Sequence, residues 1–205
     1  NDQSKKNQKY EKARVRNCLK IKEIKELQNI EKSFEQQKKK NLFIEKKVSK
    51  FFTQKLTFYK YGVFELKIKD LKEHPNELKM EILKKILSTC ASKDSIPRID
   101  SMLNFLNKIE KNSSFTHTLN SCIIKVSNNE MKIYKEITNK FKEYQYQLGK
   151  GKKILWQKRF EVESNKTNIK IKNINEQNWA YYKSHFSLKK YNLNFLILKT
   201  LPLIF

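Results

Sequence analysis

Glycine is almost missing from this chain of 205 residues, which contains three, Gly62, Gly149 and Gly151. Close approach of backbone to phosphates generally takes several glycines together, so a nucleotide loop built from these residues alone is not expected. The local candidate is GKGKK at 149–153, but a Walker A loop needs GxxxxGK[ST] opening a helix, and here a strand pattern follows. It reads as a basic turn whose glycines supply positive φ. Long apolar runs are also lacking: nothing approaches the ~20 residues of a membrane span. The C-terminal NFLILKTLPLIF is apolar but short and holds Lys199, so it reads as a buried strand or a cut end. No signal-peptide pattern is present. The three cysteines, Cys18, Cys90 and Cys122, are far apart and never in CxxC spacing, which argues against a zinc site or a disulfide framework. His74, His117 and His185 are equally scattered, so no metal site is expected. Reduced, buried thiols and no leader together point to a cytoplasmic protein without a membrane partner.

Acid is in short supply as well. Against 45 Lys and Arg stand 21 Asp and Glu, a formal net charge of +24. An imbalance of that size reflects a polyanionic partner, or the AAA-rich codons of an AT-rich genome, and the abundance of Lys, Asn and Ile indicates that both act here. Arginine is rare: only Arg14, Arg16, Arg98 and Arg159 occur. A chain that drifts to lysine and keeps these four points to places where a bidentate phosphate contact is needed, which lysine cannot make. Paired acids for general acid–base work do not stand out. Glu23, Glu26, Glu31 and Glu35 lie among lysines at helical spacing, the pattern of a solvated face. Ser and His never meet in a nucleophile pattern either.

The apolar pattern gives an α+β chain. Ile21, Ile24, Leu27, Ile30 and Phe34 fall on one helical face, and Ile44, Val48, Phe51 and Phe52 continue it beyond QQKKKN. The two stretches are expected to form a helical pair with a lysine-lined outer face. KLTFYKYGVFELKIKD then changes period around Gly62, as a hairpin or extended link does. Helices are expected after Pro75 and Pro97, with Leu78, Ile82, Leu83, Ile86, Leu87 and Cys90 inward in the first and Ile99, Met102, Leu103, Leu106 and Ile109 in the second. From about residue 113 the pattern alternates: THTLNSCIIKV and MKIYKEI are strand candidates joined by SNNE. Residues 138–151 are polar and read as a linker. ILWQKRFEVES and NIKIKNI read as strands of a small second module, and NEQNWAYYKSHF as a short helix with Trp179 and Tyr182 inward.

Basic residues interleaved with aromatics are the positive functional signal. Lys12, Arg14 and Arg16 at one end, Arg98 at a helix start, and Lys150, Lys152, Lys153, Lys158 and Arg159 around Trp156 are candidates for phosphates or stacked bases of RNA.

Several landmarks occur in a recognisable order. Asp2-Gln3-Ser4-Lys5, then Tyr10, then Lys12-Ala13-Arg14-Val15-Arg16, resembles the segment that closes the catalytic domain of tRNA(Ile)-lysidine synthases, a pattern near D-x-S-N, an aromatic and R-x-R-x-R. Lys5 stands for its asparagine and Lys12 for its first arginine. LKEHPNELKMEILKKILSTC looks like the family's substrate-binding helix, followed by the helix at IPRIDSMLNFLNKI and the hairpin LNSCIIKVSNNEMKIYKE. ILWQKRFEV is similar to the family's LWDGRF strand, with Gln157 and Lys158 in place of Asp and Gly, and LKTLPLIF to its LPLIW end.

The resemblance implies an enzyme that uses ATP, with Mg2+, to adenylate C2 of the wobble cytidine in an isoleucine tRNA with a CAU anticodon. Free lysine then displaces AMP to form lysidine. The family's ATP loop, SGGxDS, lies upstream of the opening segment and is absent from this sequence, which implies a tRNA-binding portion of such an enzyme, inactive alone, with a separate N-terminal half as a possible partner. On this reading residues 1–17 are the tail of the catalytic domain, with Asp2, Arg14 and Arg16 at the cleft edge. Residues 18–137 form the helical tRNA-binding domain with its terminal hairpin, 138–151 a linker, and 152–205 a truncated α+β module. From a different class, the alternative is a non-catalytic basic RNA-binding or ribosome-associated protein.

Overall fold

The structure is a computed structural model and describes residues 21–92, 96–137, 145–174 and 195–204. Two compact units are present, residues 1–47 and 48–205. The architecture is α+β, a helical region followed by strands.

Helix α1 (Ile21–Lys55) is continuous through QQKKKN, where a break between two helices is expected from the change of composition. The reason is local: the stretch holds neither glycine nor proline, and Gln and Lys are good helix formers. Within the first unit its described side chains, from residue 24 to 47, are exposed, Phe34 by 70%, except for the half-buried Ile44.

In the second unit Val48 and Phe51 of α1 are buried, and the chain continues into β1 (Leu56–Tyr59) and β2 (Val63–Lys67), an antiparallel hairpin. Gly62, at φ +81°, closes its turn by donating its N–H to the Tyr59 carbonyl at 2.8 Å. A short α2 (Ile68–Lys72) leads to α3 (Asn76–Ala91), which starts just after Pro75, and then α4 (Ile99–Lys111) starts after Pro97-Arg98. Proline just ahead of a helix has no N–H of its own that would need a partner there, and its fixed φ suits the entry.

Three strands follow where two were expected: β3 (Phe115–Leu119), β4 (Cys122–Ser127) and β5 (Glu130–Lys135). The extra break falls at Asn120-Ser121, both at positive φ, and Asn128-Asn129 make the next turn in the same way. Two-residue turns with both centres at positive φ suit the right-handed twist of the strands, and Asn tolerates that conformation. The strands assemble into one five-stranded antiparallel sheet, β1-β2-β5-β4-β3.

The period of two gives the sheet two faces. Phe64, Leu66, Cys122, Ile124, Val126, Met131 and Ile133 point one way and are buried under α3, whose Ile82, Leu83, Ile86 and Leu87 are at most 1% exposed. Each such side chain contributes about 1.5–3 kcal/mol of burial. On the other face Val63 and Tyr134 pack with Ile197 of α5 (Phe195–Leu198), flanked by Tyr59, Tyr61 and Ile123.

The remaining strands build a smaller core. Residues β6 (Gln145–Leu148), within the stretch read as a linker, pair with β9 (Ile169–Asn173), which pairs with β10 (Pro202–Ile204). A separate hairpin joins β7 (Lys153–Trp156) to β8 (Phe160–Glu163). Leu148, Trp156, Val162 and Ile171 form the buried centre. The short helix expected at NEQNWAYYKSHF, with Trp179 and Tyr182, lies outside the described residues, as does the opening segment with Asp2, Lys12, Arg14 and Arg16.

Candidate nucleic-acid interface

The basic cluster at 150–159 is built on the β7–β8 hairpin, and the fold divides it. Lys150 and Lys152 are exposed on the turn between β6 and β7, where Gly151, at φ +70°, donates its N–H to the Ser164 carbonyl at 2.8 Å. Lys158 is exposed at the other end of the hairpin, about 13 Å away for a strand of four residues. Lys153, between them, is held by two carboxylates, Glu161 and Glu163, each at 3.1 Å. Both carboxylates raise its pKa, Glu163 first. An exposed pair of this kind contributes little to stability, yet it neutralises the lysine most central to the cluster.

Two members of the cluster face inward. Trp156 is 1% exposed, its ring in the core of the small module and its indole Nε1–H donating to the Thr200 carbonyl at 3.2 Å. This corrects the expectation of a base-stacking platform: a base cannot stack on a ring already covered on both faces. The composition LWQKRF cannot distinguish a buried from an exposed tryptophan, because strand alternation beside a turn is set by the turn.

Arg159 is corrected likewise. It is the residue left over where Trp156 pairs with Phe160, and its guanidinium turns inward, Nη2 donating to the Gly62 carbonyl at 3.0 Å while the group lies over the Phe160 ring, 4.9 Å from its centre. A Cβ at Gly62 would fall onto this guanidinium. Burial pushes the Arg159 pKa down, opposed by the nearby Cys90 and Cys122 thiols. Its Nη1 is buried without a hydrogen-bond partner, as are both amide atoms of Gln157. Arg159 thus joins the hairpin to the β1–β2 turn and is not an outward phosphate contact.

Cys90 and Cys122 are a buried pair that scattered cysteine spacing does not reveal. The Cys122 thiol donates to the Leu87 carbonyl at 3.4 Å, and its pKa is pushed up, first by its hydrogen bond with Cys90 and then by burial. A thiol so held is inert.

Arg98 is exposed immediately before α4, and its carbonyl accepts the Met102 N–H at 3.1 Å. Its side chain makes no helix-capping bond. The structure therefore leaves Arg98, Lys150, Lys152 and Lys158 on the surface, places Trp156 and Arg159 inside, and engages Lys153 with carboxylates. Among the described residues no group of His, Cys, Asp or Glu could hold a metal ion, and no helix is long and apolar enough to cross a membrane. Among the described residues the three glycines form no phosphate loop: Gly149 and Gly151 serve a strand turn, and the space beside Gly62 is filled by Arg159.

No protein-family model matches the chain. It is similar to curated proteins named tRNA(Ile)-lysidine synthase: that of Rickettsia africae (strain ESF-5) is 27% identical over 135 residues, 66% of this chain and 26% of the relative. The one from Rickettsia akari (strain Hartford) is 29% identical over 110 residues, 54% of this chain and 25% of the relative. The chain thus spans about a quarter of the length of the curated relatives it matches. Over 66% of its own length the chain is similar, at 27% identity, to a curated protein named tRNA(Ile)-lysidine synthase.

Proposed function

We propose that these residues form a tRNA-holding part of a tRNA(Ile)-lysidine synthase, acting on the isoleucine tRNA with a CAU anticodon. The observation that carries this reading is the similarity to proteins of that name, and the net charge of +24 agrees with a polyanionic partner. Arg98, Lys150, Lys152 and Lys158 are the exposed cations on the second unit that would contact phosphates. They bind and orient the RNA; they do no chemistry. ATP and Mg2+, which activate the wobble base for attack by free lysine, belong on this reading to a part of the enzyme that carries SGGxDS and lies outside these 205 residues. Arg14 and Arg16 would adjoin that part.

Filter binding of an unmodified CAU-anticodon tRNA transcript tests the reading. Affinity is expected to fall log-linearly with salt, each phosphate contact adding roughly 0.7–0.9 to the slope. A salt-independent isotherm, or none, removes the reading. Mixed with a catalytic half containing SGGxDS, the chain is expected to raise lysine transfer to the tRNA; lysine transfer by the chain alone would contradict the assignment of ATP to another part.

A further inference from the structure

In α1, Lys25, Lys32, Lys39 and Lys46 recur every seven residues and all are exposed. Seven residues are two turns less about 20°, so the four ammonium groups form one nearly straight ridge, roughly 32 Å from end to end. Lys47 lies about 100° around the helix from it, its Nζ 4.8 Å over the Phe43 ring. The acids of the same stretch are kept off it. Glu26, Glu31 and Glu45 lie roughly 100° around the helix from this line and Glu35 about 50°.

We propose that this ridge lies along the phosphate backbone of a base-paired RNA stem. The inference rests on the reading of the chain as a tRNA-binding part and names the surface that would do the binding. A rigid row of like charge neutralises a continuous backbone without reading bases, which is how RNA duplexes are held. The competing partner for a basic amphipathic helix is an anionic lipid surface. That partner needs cations at the borders of the apolar stripe, where their stems can reach down while the ammonium meets the headgroups. Here the stripe of Ile24, Leu27, Ile30 and Phe34 is bordered by Glu26 on one side and Glu31 and Glu35 on the other, which an anionic surface repels. Lys25 and Lys32 lie on the far side of the helix from that stripe, where RNA reaches them without burying it, while Lys39 and Lys46 flank the exposed Leu42 and Phe43.

The test compares the full chain with K25Q/K32Q/K39Q/K46Q and with a control of equal charge, K67Q/K69Q/K85Q/K125Q, which removes exposed lysines elsewhere. Gln matches Lys in helix propensity, and circular dichroism checks that α1 persists. Against a short RNA duplex, the ridge variant is expected to have a salt slope shallower by roughly three, and the control by less than one. Equal losses in the two variants, or tighter binding of the unpaired strand than of the duplex, overturn the ridge while leaving tRNA binding intact. If the unaltered chain binds neither tRNA nor duplex, the functional reading falls and this inference with it. Ridge-dependent binding to phosphatidylserine vesicles that duplex RNA fails to compete overturns it in favour of lipid.

Discussion

Replacing Lys158 by glycine should stabilise the protein while weakening its hold on RNA. In the turn after Trp156, where the Arg159 N–H donates to the Trp156 carbonyl at 2.9 Å, the two central residues Gln157 and Lys158 have φ of +50° and +57°. The left-handed region costs an L-residue about 1–2 kcal/mol. Glycine has no such penalty but loses about 0.5–1 kcal/mol of extra freedom on folding, so K158G should gain about 0.5–1 kcal/mol. For a chain of this size that is a rise of about 1–4 °C in Tm. K158A separates the causes, because alanine loses the charge yet keeps the strained φ and should stay within about 0.5 kcal/mol of the parent. Urea unfolding followed by circular dichroism gives the stabilities, and filter binding gives salt slopes, which should fall by about one in both variants. Were K158G no more stable than K158A, the turn would not be strained and the reasoning would fail.

Gly62→Ala should destabilise by about 2–4 kcal/mol, from the strain of a φ of +81° and the loss of the Arg159 hydrogen bond. Because both changes remove the same contact, Gly62→Ala and Arg159→Ala should combine in urea unfolding to less than the sum of their separate effects; strict additivity would show that the guanidinium does not rest on Gly62. His117 stacks on Phe105, with ring centres 5.3 Å apart, and burial, aided by Lys108, holds its pKa below the usual histidine value. The unfolded chain therefore takes up this proton at higher pH than the folded one, so His117's contribution is complete above about pH 6.5 and is lost as pH falls below it. His117→Gln should flatten the decline of Tm between pH 7 and pH 5, and an unchanged pH slope would discount this histidine.

The elements that follow from periodicity alone were legible in the sequence. Leu78, Ile82, Leu83, Ile86 and Leu87 mark α3 and are its buried face, and the alternation after residue 113 supplies three strands of the five-stranded sheet. What failed were the places where composition and conformation part. QQKKKN has the polarity of a link but the propensity of a helix, and with no breaker inside it α1 does not stop. LNSC has no glycine, so its turn is hidden in an apparently continuous strand, although Asn120 can supply the positive φ. The polar QYQL within 145–148 becomes a strand because β9 offers it a partner, which no local pattern shows.

Composition marks the basic cluster but not which of its members reach the surface, and the reason is topological. In LWQKRF the turn decides which side chains point inward, and an extra residue between Trp156 and Phe160 sends the arginine to Gly62, 97 residues away in sequence. The same turn explains the departure from the LWDGRF that this strand resembles. Asp-Gly is the pair suited to two successive left-handed residues, and Gln157-Lys158 occupies that conformation at a cost in strain but presents a cation at the exposed tip. A rare arginine signals a contact that lysine cannot make, but the contact need not be to phosphate: Arg159 donates instead to a backbone carbonyl inside the protein. For electrostatic capture of a polyanion, position along a regular element carries more than residue type, which is why the proposed stem-binding surface starts from lysines at heptad spacing on one helix and not from the cluster around Trp156.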